Sequence, residues 1–250
     1  MYPIPFKLLL YVGWRRQQSQ LPDVAFIALS DHKISQLPHS REMDPVDKAV
    51  LASLYANTLD PTISAYDRLK ARLPLSKAFY NSRLEQLAKI GLVEKSNPNK
   101  LSFIGRDALK VVLVGGVFDL IHPGHIHTLK AAKSEGDVLV VIVAKQSTAQ
   151  KIKKERKIYH DEILRKELVA SLNFVDLVLI GREGTLYDTV EYVKPNVIAL
   201  GYDQAHSEKE IAENCTKRNL NVHVIRLSTP VPGSKSSKMK EELGDSIYGI

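Results

Sequence analysis

The stretch Val111-Val112-Leu113-Val114-Gly115-Gly116-Val117-Phe118-Asp119-Leu120-Ile121-His122-Pro123-Gly124-His125 sets a β-branched run, a glycine pair and a proline-led helix start in immediate succession. A continuous apolar run, a turn rich in glycine and a proline preset for the first helical position read as strand, loop and helix. Gly115 and Gly116 leave backbone bare of side chains, and the amide groups and positive end of the following helix attract phosphate. His122 and His125 stand three positions apart, so both imidazoles reach the same side of the helix entrance, and Gly124 between them keeps the approach open. No Ser or Cys stands beside either histidine and no third metal ligand follows at short spacing, which excludes a hydrolase-type nucleophile or a zinc site in this segment. Two imidazole donors at an anion hole suit in-line displacement at an α-phosphate, where negative charge is redistributed.

Downstream, the apolar runs Val138–Ala144, Leu177–Ile180, Val197–Leu200 and Val222–Ile225 are separated by helix-length connections. The pattern predicts helices over Pro123–Ser134, Asp161–Leu172, Thr185–Val193, Ser207–Asn219 and Ser236–Leu243. Short continuous runs of this kind indicate a parallel sheet covered on both faces, and therefore an α/β doubly wound domain of about five strands. In such a sheet the ligand crevice lies at the carboxyl ends of the strands, which the glycine loop faces.

Gly116-x-Phe118-Asp119 followed by His122-Pro123-Gly124-His125 resembles the HxGH nucleotidyltransferase superfamily, the cytidylyltransferase-like enzymes. Lys157, Arg165, Glu167-Leu168-Val169 and Val175-Asp176 are similar to the family's segment between its second and third strands. Lys194-Pro195-Asn196-Val197-Ile198-Ala199-Leu200-Gly201-Tyr202-Asp203-Gln204 resembles the fourth-strand motif of archaeal-type FAD synthases. Ser234, Ser236, Ser237 and Lys238 resemble the late Ser/Thr-rich motif.

The resemblance implies a Rossmann-like fold over residues 109–250, with Gly115, Gly116, Val117, Phe118, Asp119 and Gly124 at the nucleotide and His122, His125, Lys157 and Arg165 as catalytic groups. It further implies Gly201, Asp203 and Gln204 near base and ribose, and Ser236 and Ser237 on the phosphates. The implied reaction moves AMP from ATP, carried with Mg²⁺, to a phosphorylated acceptor, preferably FMN, and releases pyrophosphate; no protein metal ligands are implied. Pro230-Val231-Pro232-Gly233 stands where many cytidylyltransferases carry R-T-E-G, so the arginine of that motif is missing here. A CTP-dependent cytidylyltransferase and a phosphopantetheine adenylyltransferase are the enzyme alternatives. A nucleotide-sensing DNA-binding regulator is the alternative of another class.

Upstream, Asp44 as N-cap, Pro45 at N1 and Val46, Val50, Leu51 and Leu54 predict a helix. A second helix is expected over Ser64–Arg72, and a third, capped by Ser76, carries Phe79, Tyr80, Leu84 and Leu87 until Gly91. Leu92–Glu94 and Leu101–Phe103 read as strands around a turn at Ser96–Asn99. Residues 43–108 thus resemble the winged helix-turn-helix family, which implies DNA contact through Lys77, Asn81, Arg83 and Lys89; the other reading is dimerisation, giving a homodimer, or docking. Residues 1–42 show no sustained periodicity and receive no role. A true start at Met43 is one explanation, which N-terminal peptide mass spectrometry tests.

Apolar residues make up 44% and charged residues 25% of the 250 residues, the balance of a globular protein rather than a fibrous or disordered one. Cys215 is the single cysteine, which excludes a disulfide scaffold and a thiolate zinc site and suggests a reduced, cytoplasmic compartment. The net charge of +7 favours polyanionic partners such as nucleotides. No apolar run reaches bilayer length, and Phe6–Trp14 is short and carries Lys7, so neither a membrane span nor a signal peptide is expected. Lys151, Lys153, Lys154, Arg156 and Lys157 are expected in a basic loop after the second strand; His127, His160, His206 and His223 at the surface or as caps; Cys215 packed as a small apolar side chain.

Overall fold

The computed structural model describes residues 43–153, 158–182, 184–202, 204 and 206–228. The expected helix over residues 236–243 lies outside the described residues, as do residues 1–42.

Helix α1 (Pro45–Leu59) starts where Asp44 accepts the amide of Val46, and every residue from Val50 to Ala56 is buried. A helix enclosed on all sides needs partners on more than one face. Helices α2 (Ala65–Lys70) and α3 (Lys77–Lys89) supply one, through Leu69, Tyr80, Leu84 and Leu87. Gly91, at φ +83, ends the α3 turn in a conformation that glycine adopts without strain. Strands β1 (Val93–Glu94) and β2 (Asn97–Leu101) form the expected antiparallel hairpin, but the turn is at Lys95–Ser96 rather than Ser96–Asn99. Pro98 is therefore a strand residue, tolerated because a two-stranded ribbon leaves edge positions that need no amide donor. Phe103 is not in the second strand: Ser102 caps Gly105 and opens helix α4 (Phe103–Asp107).

The five-stranded sheet contains β3 (Val111–Gly116), β4 (Val138–Val143), β5 (Leu177–Ile180), β6 (Val197–Leu200) and β7 (His223–Arg226), in the order β5-β4-β3-β6-β7. All neighbours are parallel, as the uninterrupted apolar runs require. Helices α5 (Pro123–Ser134), α6 (Gln146–Lys153), α7 (Glu162–Ala170), α8 (Leu186–Val193) and α9 (Glu208–Lys217) cover it. The pleat divides the core in two. Val112, Val114, Leu139, Val141 and Val178 pack with Leu129, Ala132 and Val169 on one face. Val111, Leu113, Val138, Val140 and Ile198 pack on the other with Val190, Val193 and Ile211, and this second core runs on without a break into the buried residues of α1 and α3. Cys215 belongs to it, and burial pushes its thiol pKa up, as suits a packing residue.

Two expectations change here. Lys151 and Lys153 belong to α6 rather than to a loop, because Gln146–Lys153 contains no helix breaker and Ala149 is fully buried as its anchor; Lys154, Arg156 and Lys157 lie outside the described residues. Lys77, Asn81 and Lys89 are exposed on α3, whereas Arg83 is drawn inward to Asp47 at 2.6 Å and Asp44 at 3.7 Å, and also binds Gln86.

Tyr55 of α1 donates to the Val193 carbonyl at 2.6 Å, joining the helical segment to the end of α8. Burial pushes its phenol up to about 12, with nearby Arg106 opposing part of the effect. The folded state thus prefers the neutral phenol, so this contribution is fully present below pH 10 and is lost as pH rises towards 12. Stability measured by urea unfolding should fall across that interval by about 3 kcal/mol more in the natural protein than in Tyr55→Phe. Equal slopes for the two would remove the assignment.

Candidate functional site

The site grows from a mismatch in pairing length. β3 pairs with β4 along its whole length, from Val111↔Val138 to Gly116↔Val143, but with β6 only through Val112↔Val197 and Leu113↔Ile198. The carboxyl half of β3 therefore parts from β6 at the point where the strand order reverses, which is where doubly wound sheets hold ligands.

The two glycines at this opening have different reasons. A side chain at Gly115 would meet nothing within 4 Å, so its backbone faces open space. A Cβ at Gly116 would lie 2.7 Å from the Phe118 ring, so only glycine fits beneath it. Phe118 itself has φ +54, an uncommon conformation for a non-glycine residue, and its buried ring packs 5.3 Å from that of His125. His122 and His125 stack with centroids 3.9 Å apart and planes at 27°. His122 is buried and occupies the N-cap position of α5 without a side-chain cap bond, and Pro123 follows at the first position as expected. The positive end of α5 and both imidazoles thus converge on one entrance.

Behind this loop lies a polar frame. The buried Asp119 accepts the amides of Tyr159 at 2.9 Å and His160 at 3.0 Å through Oδ1, and its carbonyl oxygen lies 2.9 Å from His160 Nδ1. Arg165 is 0% exposed; it donates from Nη1 to the Val117 carbonyl at 2.7 Å, from Nε to the His160 carbonyl at 3.0 Å and from Nη2 to Gln146 Oε1 at 3.2 Å. Burial lowers its pKa from the ordinary guanidinium value, against the pull of Asp119, Glu162 and Asp161. Its donors point at backbone and amide oxygens of the frame.

Across the opening, Gln204 Nε2 donates to the Gly115 carbonyl at 2.7 Å while its Oε1 accepts the Gly201 amide at 3.3 Å. Arg226 holds the same loop by donating to the carbonyls of Gly201 at 2.9 Å, Gln204 at 3.0 Å and His206 at 2.6 Å, with Glu208 2.7 Å from its Nε. The structure therefore brings together Gly115, Gly116, Val117, Phe118, Asp119, His122, Gly124, His125, Arg165, Gly201 and Gln204. Lys157, Asp203, Ser236 and Ser237 lie outside the described residues.

Sequence reasoning missed Gln146, Tyr159, His160 and Arg226. His160 read as a surface or capping residue because nothing in its neighbourhood marks a partner 41 positions earlier. Arg226 had a weak signal, a charged side chain closing an apolar strand. Among the described residues no group of three His, Cys, Asp or Glu gathers to hold a metal. Also among them, no helix is long and apolar enough to cross a membrane.

Residues 113–242 match the family described as Cytidylyltransferase-like. The chain is 47% identical over 116 residues to the FAD synthase of Aciduliprofundum boonei, covering 46% of this chain and 76% of that protein. It is 42% identical over 117 residues to the FAD synthase of Picrophilus torridus, covering 47% of this chain and 83% of that protein. Among solved structures, the lipopolysaccharide core biosynthesis protein from Thermoplasma volcanium GSS1 aligns with TM-score 0.47 at 41% identity, covering 49% of this chain and 98% of that one.

Proposed function

The chain belongs to the cytidylyltransferase-like family, and on that premise we propose that it is an adenylyltransferase that joins AMP from MgATP to FMN, forming FAD and releasing pyrophosphate. The choice of acceptor is supported by relatives named FAD synthase at 42% and 47% identity. The choice of chemistry is carried by one observation: the stacked His122 and His125 at the entrance of α5, where β3 parts from β6.

In this reading a phosphate oxygen of FMN attacks the α-phosphorus of ATP. The new oxygen–phosphorus bond forms as the bond from the α-phosphorus to the α,β-bridging oxygen breaks, and that oxygen leaves with pyrophosphate. No covalent enzyme intermediate is required. His122 and His125 donate hydrogen bonds to the phosphate oxygens that gain charge, aided by the positive end of α5. Mg²⁺ enters as part of the nucleotide substrate, bound to its phosphates, as expected for an ion that is seldom held by protein groups alone.

The remaining residues position. The open backbone at Gly115 lets the nucleotide approach closely, while Arg165 and Asp119 hold the loop from behind. Gly201 and Gln204 serve base and ribose, the role that the family resemblance also gives to Asp203. Lys157, Ser236 and Ser237 keep, in this reading, the phosphate-binding role that the family resemblance implies. Orientation of two bound substrates supplies most of the remaining acceleration, since nucleophile and leaving group both belong to the substrates.

Purified full-length protein incubated with ATP, MgCl₂ and FMN should release pyrophosphate and form FAD in equal amounts. Pyrophosphate release with another phosphorylated acceptor but not with FMN would replace the flavin reading and leave adenylyl transfer standing. Turnover with CTP alone would overturn the choice of nucleotide.

A further inference from the structure

A cavity of about 440 Å³ lies between α1, α2 and the segments that lead into β4 and β5. It is at the amino ends of the strands, whereas the candidate site occupies their carboxyl ends. Lys48, Arg68, Arg72 and Lys133 line it together with only two carboxylates, Asp137 and Asp176. Both carboxylates are already committed. Asp176 takes Arg72 at 2.5 Å, Lys133 at 2.6 Å and the Leu139 amide at 2.6 Å. Asp137 takes Lys48 at 3.0 Å and the Lys110 amide at 2.8 Å. The lining is left with a surplus of two positive charges.

Arg68 has the weakest compensation. Its carboxylate neighbour Asp60, which is not part of the lining, comes no closer than 3.8 Å, and its Nη2 uses the Asp60 carbonyl instead. Its Nε is buried with no acceptor. Burial lowers its pKa, and Arg72 lowers it further by like-charge repulsion, against the opposing pull of Asp60. Arg68 and Arg72 stand four positions apart on α2 and its C-terminal turn, on one wall of the cavity, and repel each other; an oxyanion held against that wall relieves the repulsion. Ala49, Ala52, Leu69 and Leu73 give the same cavity an apolar wall. Its volume lies within the range of about 300–1,000 Å³ usual for small-molecule sites.

We propose that this cavity is a second ligand site, specific for a small phosphate monoester whose dianionic head meets Arg68 and Arg72 and whose organic part lies on the apolar wall. A dianion matches the charge surplus, and the wall favours an ester over inorganic phosphate. The inference does not rest on adenylyl transfer at the opposite end of the sheet.

Phenyl phosphate serves as the probe, with inorganic phosphate and phenol for comparison, in thermal unfolding of the full-length protein. At about ten times its Kd, phenyl phosphate should raise Tm by about 4 °C; inorganic phosphate at the same concentration should do less and phenol nothing. Arg68→Gln should abolish the shift and Arg68→Lys should retain part of it. Asn173→Glu, which adds a negative charge at an exposed position of the lining, should weaken binding about tenfold without depending on the packing of Arg68. His122→Ala/His125→Ala should leave the shift in place, which separates this cavity from the nucleotide crevice. Absence of any shift, an undiminished shift in both Arg68→Gln and Asn173→Glu, or loss of the shift in the double histidine variant would each overturn the proposal.

Discussion

Replacing both His122 and His125 with alanine should lower pyrophosphate release by about 10³-fold or more while the protein stays folded. Loss of one preorganised donor to a developing oxyanion costs about 10²–10³-fold, because the site excludes competing water and needs no reorganisation as charge moves. The two losses should not multiply. Their rings stack at 3.9 Å, and His125 also packs on Phe118, so removing one ring frees the other from its position. Each single variant should therefore already show most of the defect. Steady-state kinetics with ATP and FMN, together with ATP affinity measured by calorimetry, provide the check. If product formation in the double variant equals that of the natural protein, the role given to this pair fails.

Arg165→Met should lower stability by about 3–5 kcal/mol, which corresponds to a fall in Tm of about 10 °C in a chain of this size. The methionine fills much of the volume, so the loss reports hydrogen bonds and charge rather than a cavity. It leaves the carbonyls of Val117 and His160 without the Arg165 donors and removes a cation attracted by the buried Asp119. Those carbonyls belong to the loop and to the segment that flank the histidine pair. We therefore expect kcat to fall about 100-fold in the surviving folded protein with little change in KM for FMN, the signature of a misplaced reacting group. Arg165→Lys keeps the charge but lacks the planar fork that reaches several acceptors at once, so it should recover stability more than turnover. A variant with natural stability and natural kcat would show that Arg165 does not position the loop.

The two largest effects differ in how visible their causes were. The histidine pair is a local feature: three positions of helical spacing, a proline and two glycines place both rings at one helix entrance, and the structure retains that geometry. Arg165 was visible as a residue but not as an element of structure. As a cation near a phosphate site it read as a ligand for charge. Its complete burial and its three oxygen partners, drawn from positions 117, 146 and 160, follow only from how α7 packs against the loop. The same limit explains Arg83, exposed by periodicity yet held by Asp44 and Asp47 of the first helix and its cap. It also explains the hairpin, where Asn and Pro marked a turn but the β1–β2 register moved it two residues earlier.

Backbone preference and hydrophobic period act over a few residues, so sequence alone determined the strand–loop–helix at Val111–His125, the parallel sheet and, α6 apart, the described helices that cover it. Hydrogen-bond partners are chosen after those elements pack, from groups that chain distance does not relate. Tertiary structure alone therefore decided that Gln204 spans the opening to Gly115, that His160 and Arg165 secure the loop, and that two arginines of α2 and its C-terminal turn face a charged cavity at the other end of the sheet.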